Sequence, residues 1–150
     1  MSPLSANARV SHAHHYDRPV HELHLETTRK TELVEVTAPV RELVANAHGS
    51  AVVLFVPHTT AGIVVQANGD LAVARDVETA LERLVDEGWD WEHTKEEGDR
   101  NPWSHVRAAL TASSLTIPLR DGELALGRLQ SIFFCEFDGP RSRSLYVTVV

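Results

Sequence analysis

Where this chain interrupts its apolar runs, it places imidazoles, hydroxyls and guanidiniums. The stretch VPHTTAGIVVQAN, Val56 to Asn68, is an apolar strand pattern that stops at His58-Thr59-Thr60 and resumes at Gly62. Histidine titrates near neutral pH and is the commonest neutral metal ligand. Two further histidines stand in comparable places: His93 in a tryptophan-rich segment, and His105 shortly after Asn101-Pro102. No two of the three have HxH, HxxxH or HExxH spacing, so the plainer reading is three unrelated, hydrogen-bonded side chains. The hydroxyls of Thr59 and Thr60, the N–H groups around them and the close approach that Gly62 permits suit an anion such as phosphate. Closing a turn is the alternative use of the same residues.

Other positions add to this set, each beside a blander role. Arg141 and Arg143 are two apart at the start of the last strand pattern, which puts them on one face. Two guanidiniums there make a fork for phosphate or carboxylate, or else a solvated pair. Asn101 can cap the short helix that holds His105, or offer its amide and the helix N-terminus to an anion. Asp76, early in a helix, is a candidate partner for a catalytic histidine or simply a favourable charge near a helix start. Gln130 opens a long apolar strand and can orient a substrate or sit at a sheet edge. Trp89, Trp91 and Trp103 can stack on a flat ring or pack as a lid. Cys135, in SIFFCEF, reads as a small core residue with no adjacent base.

Strand and helix patterns must position these groups. HELHLE and ELVEVT show period two. Thr37 is placed to cap a helix with Pro39 in its first turn, running to about Ala47. AVVLFVP is apolar on both faces, as a central strand is. GIVVQ is the next strand. A second helix begins at Asp70-Leu71-Ala72 and ends at Gly88, with Val73, Val77, Leu81, Leu84 and Val85 on its apolar side. The polar segment GWDWEHTKEEGDRNPW is long enough to suggest a functional loop. A short helix with Pro102 in its first turn follows, then SLTIPL, ELALG, LQSIFFCEF and SRSLYVTVV as strands. The expected fold is α+β: one domain over 19–150, with a mixed, mainly antiparallel sheet and two to three helices packed on it. Residues 1–18 read as a flexible, histidine-bearing arm, with His12, His14 and His15.

Composition narrows the function. The 150 residues are 43% hydrophobic and 23% charged, ordinary for one globular domain with a real core. A formal charge of −7 argues against nucleic acid or an anionic membrane as partner. No apolar run approaches the ~20 residues of a membrane helix, and the start lacks a signal-peptide core. A single cysteine fits a reducing, cytoplasmic setting. GxGxxG, GxxxxGK[ST], GxSxG and paired-Cys zinc motifs are all missing.

Taken in order, HTTAGIVVQAN, Asp76, WEHTKEEGDRNPWSH and GELALGRLQSIFFCEFDGPRSR resemble the YjbQ family, also called secondary thiamine-phosphate synthases. The resemblance runs from about Val20 to Val150. It implies a homotrimer with a polar pocket lined by His58, His93 and His105. It also implies a divalent metal, zinc or magnesium, on those three histidines, and a small phosphorylated substrate. The implied reaction, a weak activity, joins hydroxymethylpyrimidine pyrophosphate to thiazole phosphate and releases pyrophosphate. In that reading His58, His105 and Asp76 are catalytic, while Thr59, Thr60, Asn101, Gln130, Arg141 and Arg143 bind the phosphates. A non-catalytic metal- or anion-binding module and a metal-assisted hydrolase are the alternatives. The chain departs from the family where an acid is common and Gln66-Ala67-Asn68 stands, where a glycine is common and Ala112-Ser113 stands, and where LGTWQ reads LGRLQ.

Overall fold

A computed structural model describes residues 18–68, 70–95 and 100–150. Of the arm expected over 1–18, only Arg18 falls among the described residues. The elements in order are β1 (His21–Glu26), β2 (Glu32–Glu35), α1 (Thr37–Val44), β3 (Ala51–Phe55), β4 (Ala61–Ala67), α2 (Leu71–Leu84), α3 (Pro102–Leu110), β5 (Ser114–Arg120), β6 (Glu123–Leu124), β7 (Gln130–Glu136) and β8 (Ser142–Val149). A short 3-10 turn, Glu92–Lys95, stands between α2 and α3.

The fold is α+β, but its strands form two sheets where one mixed sheet was expected. The order is β1-β8-β3-β5-β6 in the first and β2-β7-β4 in the second. Every strand pair among the described residues is antiparallel. The division follows from β7, whose sequence is apolar on both faces. Ile132 and Phe134 face the five-stranded sheet and meet Val52, Leu54, Leu145 and Val147. Phe133 and Cys135 face the other way, towards Ala74, Val77 and Leu81 of α2 and Ala108 of α3. The molecule is therefore layered, with α2 and α3 on the outer face of the smaller sheet, while Val40 and Val44 of α1 pack into the core between the sheets. At ~1.5–3 kcal/mol per fully buried large apolar side chain, burial on both faces makes β7 the main source of cohesion.

Sequence signals set most element ends. Asp70 caps α2 by accepting the Ala72 N–H at 2.8 Å. Asp121 and Gly122 both have positive φ, as a two-residue hairpin turn with right-handed strand twist requires. Thr37 departs from expectation. Val36 takes the cap position of α1, and the Thr37 hydroxyl accepts the Ile132 N–H at 2.8 Å, fixing the helix to β7. Helix α1 also ends at Val44, short of Ala47. ELALG pairs only over Glu123 and Leu124. No helix among the described residues is long and apolar enough to cross a membrane.

Candidate functional site

Strand ends converge at one end of the two sheets. There β3 has ended, β4 is about to begin, β7 has finished and β8 is starting. An open cleft of about 500 Å³ lies over these ends, walled by Pro57, His58, Thr59, Thr60, His93, Asn101, His105, Asp138, Arg141 and Arg143. The three histidines, far apart in sequence, thus share one cleft. His93, on the 3-10 turn, and His105, on α3, lie edge to face with ring centres 5.3 Å apart. His58 comes from the β3–β4 connection.

The position of His58 follows from strand pairing. The β3–β8 ladder stops at Phe55 opposite Tyr146. The next N–H along β8 facing that side belongs to Ser144, and it donates to His58 Nε2 at 2.9 Å. The imidazole completes the ladder where the backbone has left it. Burial lowers the His58 pKa from its ordinary 6.5, and the neighbouring Arg143 charge lowers it further. Glu136 pulls in the opposite direction.

Beneath the cleft lies a carboxylate that the sequence pattern concealed. Glu136 is 0% exposed at the end of β7. It accepts from Arg143 Nε at 2.7 Å and again from Arg143 Nη2. The Thr27 hydroxyl and the backbone N–H groups of Phe137 and Asp138 also donate to it, at 2.9, 3.0 and 2.9 Å. A buried charge is tolerated only when paired and hydrogen-bonded in this way. Arg143 is itself 7% exposed, and its Nη2 also donates to Thr60 Oγ1 at 2.8 Å. The two arginines therefore do not form the expected fork. Arg143 lies on the inner face of β8, neutralised by Glu136. Arg141 precedes the strand, and its exposed head pairs with Asp138, with Nη2–Oδ2 at 2.6 Å.

Asn101 occupies the cap position of α3 but makes no side-chain cap. Its amide nitrogen donates to Asp138 Oδ2 at 2.8 Å, so it orients the acid beside Arg141 and not a histidine. Its Oδ1 is buried without a hydrogen-bond partner among the described residues.

Two expected members of the site lie elsewhere in the chain. Asp76 is exposed on α2. It is two residues from both Ala74 and Glu78, the buried positions, and so about 200° around the helix from them. Glu78 is the working carboxylate of that helix. It receives Arg29 Nη1 and Nη2 at 2.9 and 3.0 Å and the Leu33 N–H at 2.8 Å. Gln130 opens β7, about 20 Å along the strand from Glu136. It accepts the Gly127 N–H at 2.8 Å and lines a separate hollow with Asn68, Arg41 and Arg128. Gln66 and Asn68 are on that side too. A third hollow, about 520 Å³ between Arg18, His21, Glu42 and His48, holds none of the expected residues. Gly62 serves packing: a Cβ there would stand 1.9 Å from Thr111 Oγ1.

The donor set does not fit the expected metal centre. Among the described residues, no three His, Cys, Asp or Glu side chains are grouped to hold a metal ion. Cys135 offers no nucleophile, because burial pushes its thiol up to about 12. Trp89 and Trp91 stack on each other at 5.3 Å, and Trp103 packs under Lys30.

Residues 21–150 match the family model described as UPF0047 protein YjbQ-like. The chain belongs to the YjbQ-like UPF0047 family. It is 35% identical to a UPF0047 protein of Methanocaldococcus jannaschii over 128 residues, 84% of this chain and 90% of that one. It is 33% identical to YugU of Bacillus subtilis over 131 residues, 85% and 96% of the two chains. Among solved structures it resembles a YjbQ/UPF0047 protein of Clostridium acetobutylicum, with TM-score 0.81 and 34% identity, covering 87% of this chain and all of that one. A YbjQ-like protein of unknown function from Sulfolobus solfataricus P2 gives TM-score 0.82 at 28% identity, covering 89% and 96%. These UPF0047 relatives carry family names and no stated activity.

Proposed function

We propose that the cleft binds a small phosphorylated molecule, and that its reaction is the one the family's alternative name implies. In that reaction the carbon–oxygen bond of hydroxymethylpyrimidine pyrophosphate breaks. The thiazole nitrogen forms the new bond, and the electron pair leaves with pyrophosphate. The cleft supports this reading by convergence: three histidines, two threonines and Arg141, drawn from separate elements, surround one open space. Fixed donors aimed at the leaving group stabilise charge where it develops. Arg141 has the exposed guanidinium, held by Asp138 in a pairing that a phosphate can replace. Arg143 acts from beneath, holding Thr60 through its hydroxyl.

The test is thiamine phosphate formation from the two half-molecules, comparing folded wild type with His58→Ala and Arg141→Ala. The proposal expects each substitution to cost on the order of 10²-fold in rate, as loss of one charge-stabilising donor does. Equal trace product from all three would remove the transferase reading. A non-catalytic anion-binding module is then the second reading. That reading asks less of the site, because both arginines already have carboxylate partners and the cleft has little net positive charge with which to stabilise a departing pyrophosphate.

We also propose a homotrimer as the working unit. Phe55 and Tyr146, paired across β3 and β8, stand exposed on the outer face of the larger sheet and give it apolar surface to cover. Sedimentation of the purified chain distinguishes this from a monomer.

A further inference from the structure

The His58 ring is engaged at one nitrogen and open at the other. Its Nε2 accepts a backbone N–H, that of Ser144. An accepting nitrogen must keep its lone pair, and a neutral imidazole has one such nitrogen and one N–H. The proton then belongs on Nδ1. The partner makes this assignment firm. A backbone N–H cannot rotate away or reverse its role, and leaving it unpaired in a half-buried position is costly. The ring is also held edge-on by Phe134, with centroids 6.5 Å apart. Nδ1 makes no hydrogen bond among the described residues, and it is not among the buried unpartnered atoms. It therefore faces the cleft that His58 lines.

We infer that His58 offers the cleft a fixed, neutral Nδ1–H as a hydrogen-bond donor to a ligand oxygen, and is neither the proton acceptor nor a metal ligand. The inference deepens the proposed function and rests on the cleft being the ligand site. A histidine that ligates a metal normally donates its other N–H to a neighbour. Here the other nitrogen accepts, so a metal on Nδ1 would leave the ring no proton at all. General-base work at Nδ1 is excluded for the same reason. Proton acceptance, where the reaction needs it, falls to the His93–His105 pair, which lines the same cleft.

Nitrogen-15 NMR of the imidazoles in the full chain tests this, with the His58 signals assigned by their loss in His58→Ala. The expected spectrum at neutral pH shows a protonated Nδ1 and a lone-pair Nε2, unchanged by added Zn²⁺. Inorganic phosphate should shift the Nδ1 signal. In phosphate titrations His58→Ala and His58→Gln should bind roughly tenfold or more weakly, the loss expected for a hydrogen bond to a charged group. His58→Asn, whose amide nitrogen lies close to the position of Nδ1, should recover part of the affinity. An Nε2–H tautomer, an imidazolium, or a Zn²⁺-dependent shift at either nitrogen would overturn the assignment. A phosphate titration that leaves Nδ1 unmoved while binding elsewhere would overturn the donor role. If phosphate does not bind anywhere, the cleft reading falls while the tautomer is still decided by the spectrum.

Discussion

The carboxylate of Glu136 does more to shape the site than any side chain that touches the cleft. It lies within the apolar run SIFFCEF, so hydrophobic patterning assigns it to the core. A charged residue in a strand buried on both faces must nevertheless have a partner. An arginine on the adjoining inward face was the available sign, and Arg143 fills that role. Replacing Glu136 with Gln should destabilise the fold by about 3–5 kcal/mol, since it strands a buried guanidinium. Urea denaturation measures this, and a cost below 1 kcal/mol would mean the pair is not buried as described. His58 adds a pH dependence. Its folded pKa lies below the ordinary 6.5. The unfolded chain therefore binds the extra proton first as pH falls. This contribution to stability is intact above pH 6.5, declines as pH drops below it, and is fully lost beneath the folded value. The slope of stability against pH in that window should flatten in His58→Asn. Cys135 should resist aromatic disulfide reagents in the native state and react in denaturant, because burial holds its thiol up to about 12.

Elements carry constraints that single residues do not reveal. Periodicity identified the strands and helices because each has a distinct buried face: Leu23 and Leu25 in β1, and Val73, Val77 and Leu81 in α2. It could not show how strands divide between sheets, which depends on what covers each face of β7. It also could not show that Asp76 points outward while Glu78 points in, since both are acids within one turn. Close approach was legible at Gly62, but what approaches is chain and not ligand. The Ile63 N–H donates to the Ala112 carbonyl at 2.8 Å, with Thr111 against Gly62. Gly62→Ala should cost roughly 1–3 kcal/mol, the range for overpacking. Adding Thr111→Ala should recover part of that, and a thermal-denaturation double-mutant cycle should show the two changes to be non-additive. Arg107, a charged residue of the short helix α3, is buried and donates to the Val85 and Glu82 carbonyls at the end of α2. Arg107→Met should loosen that terminus, raising hydrogen exchange over Leu81–Val85 before the sheets are affected.

At the scale of the whole molecule, folding selects among the chemistry-bearing residues. His58, Thr59, Thr60, His93, Asn101, His105, Arg141 and Arg143 meet at one end of the sheets. Gln130 lies at the far end of β7, and Asp76 lies on the outer side of α2. The central claim is that the first group forms the ligand site. Pyrophosphate titrated into uniformly nitrogen-15-labelled protein, followed at backbone amides, tests it most directly. The account predicts saturable shifts at residues 58–60, 93, 101, 103–105, 138, 139 and 141–143, with the amides of Asp76, Arg128 and Gln130 unmoved. Shifts centred on Arg128 and Gln130, or none at any pyrophosphate concentration, would contradict it.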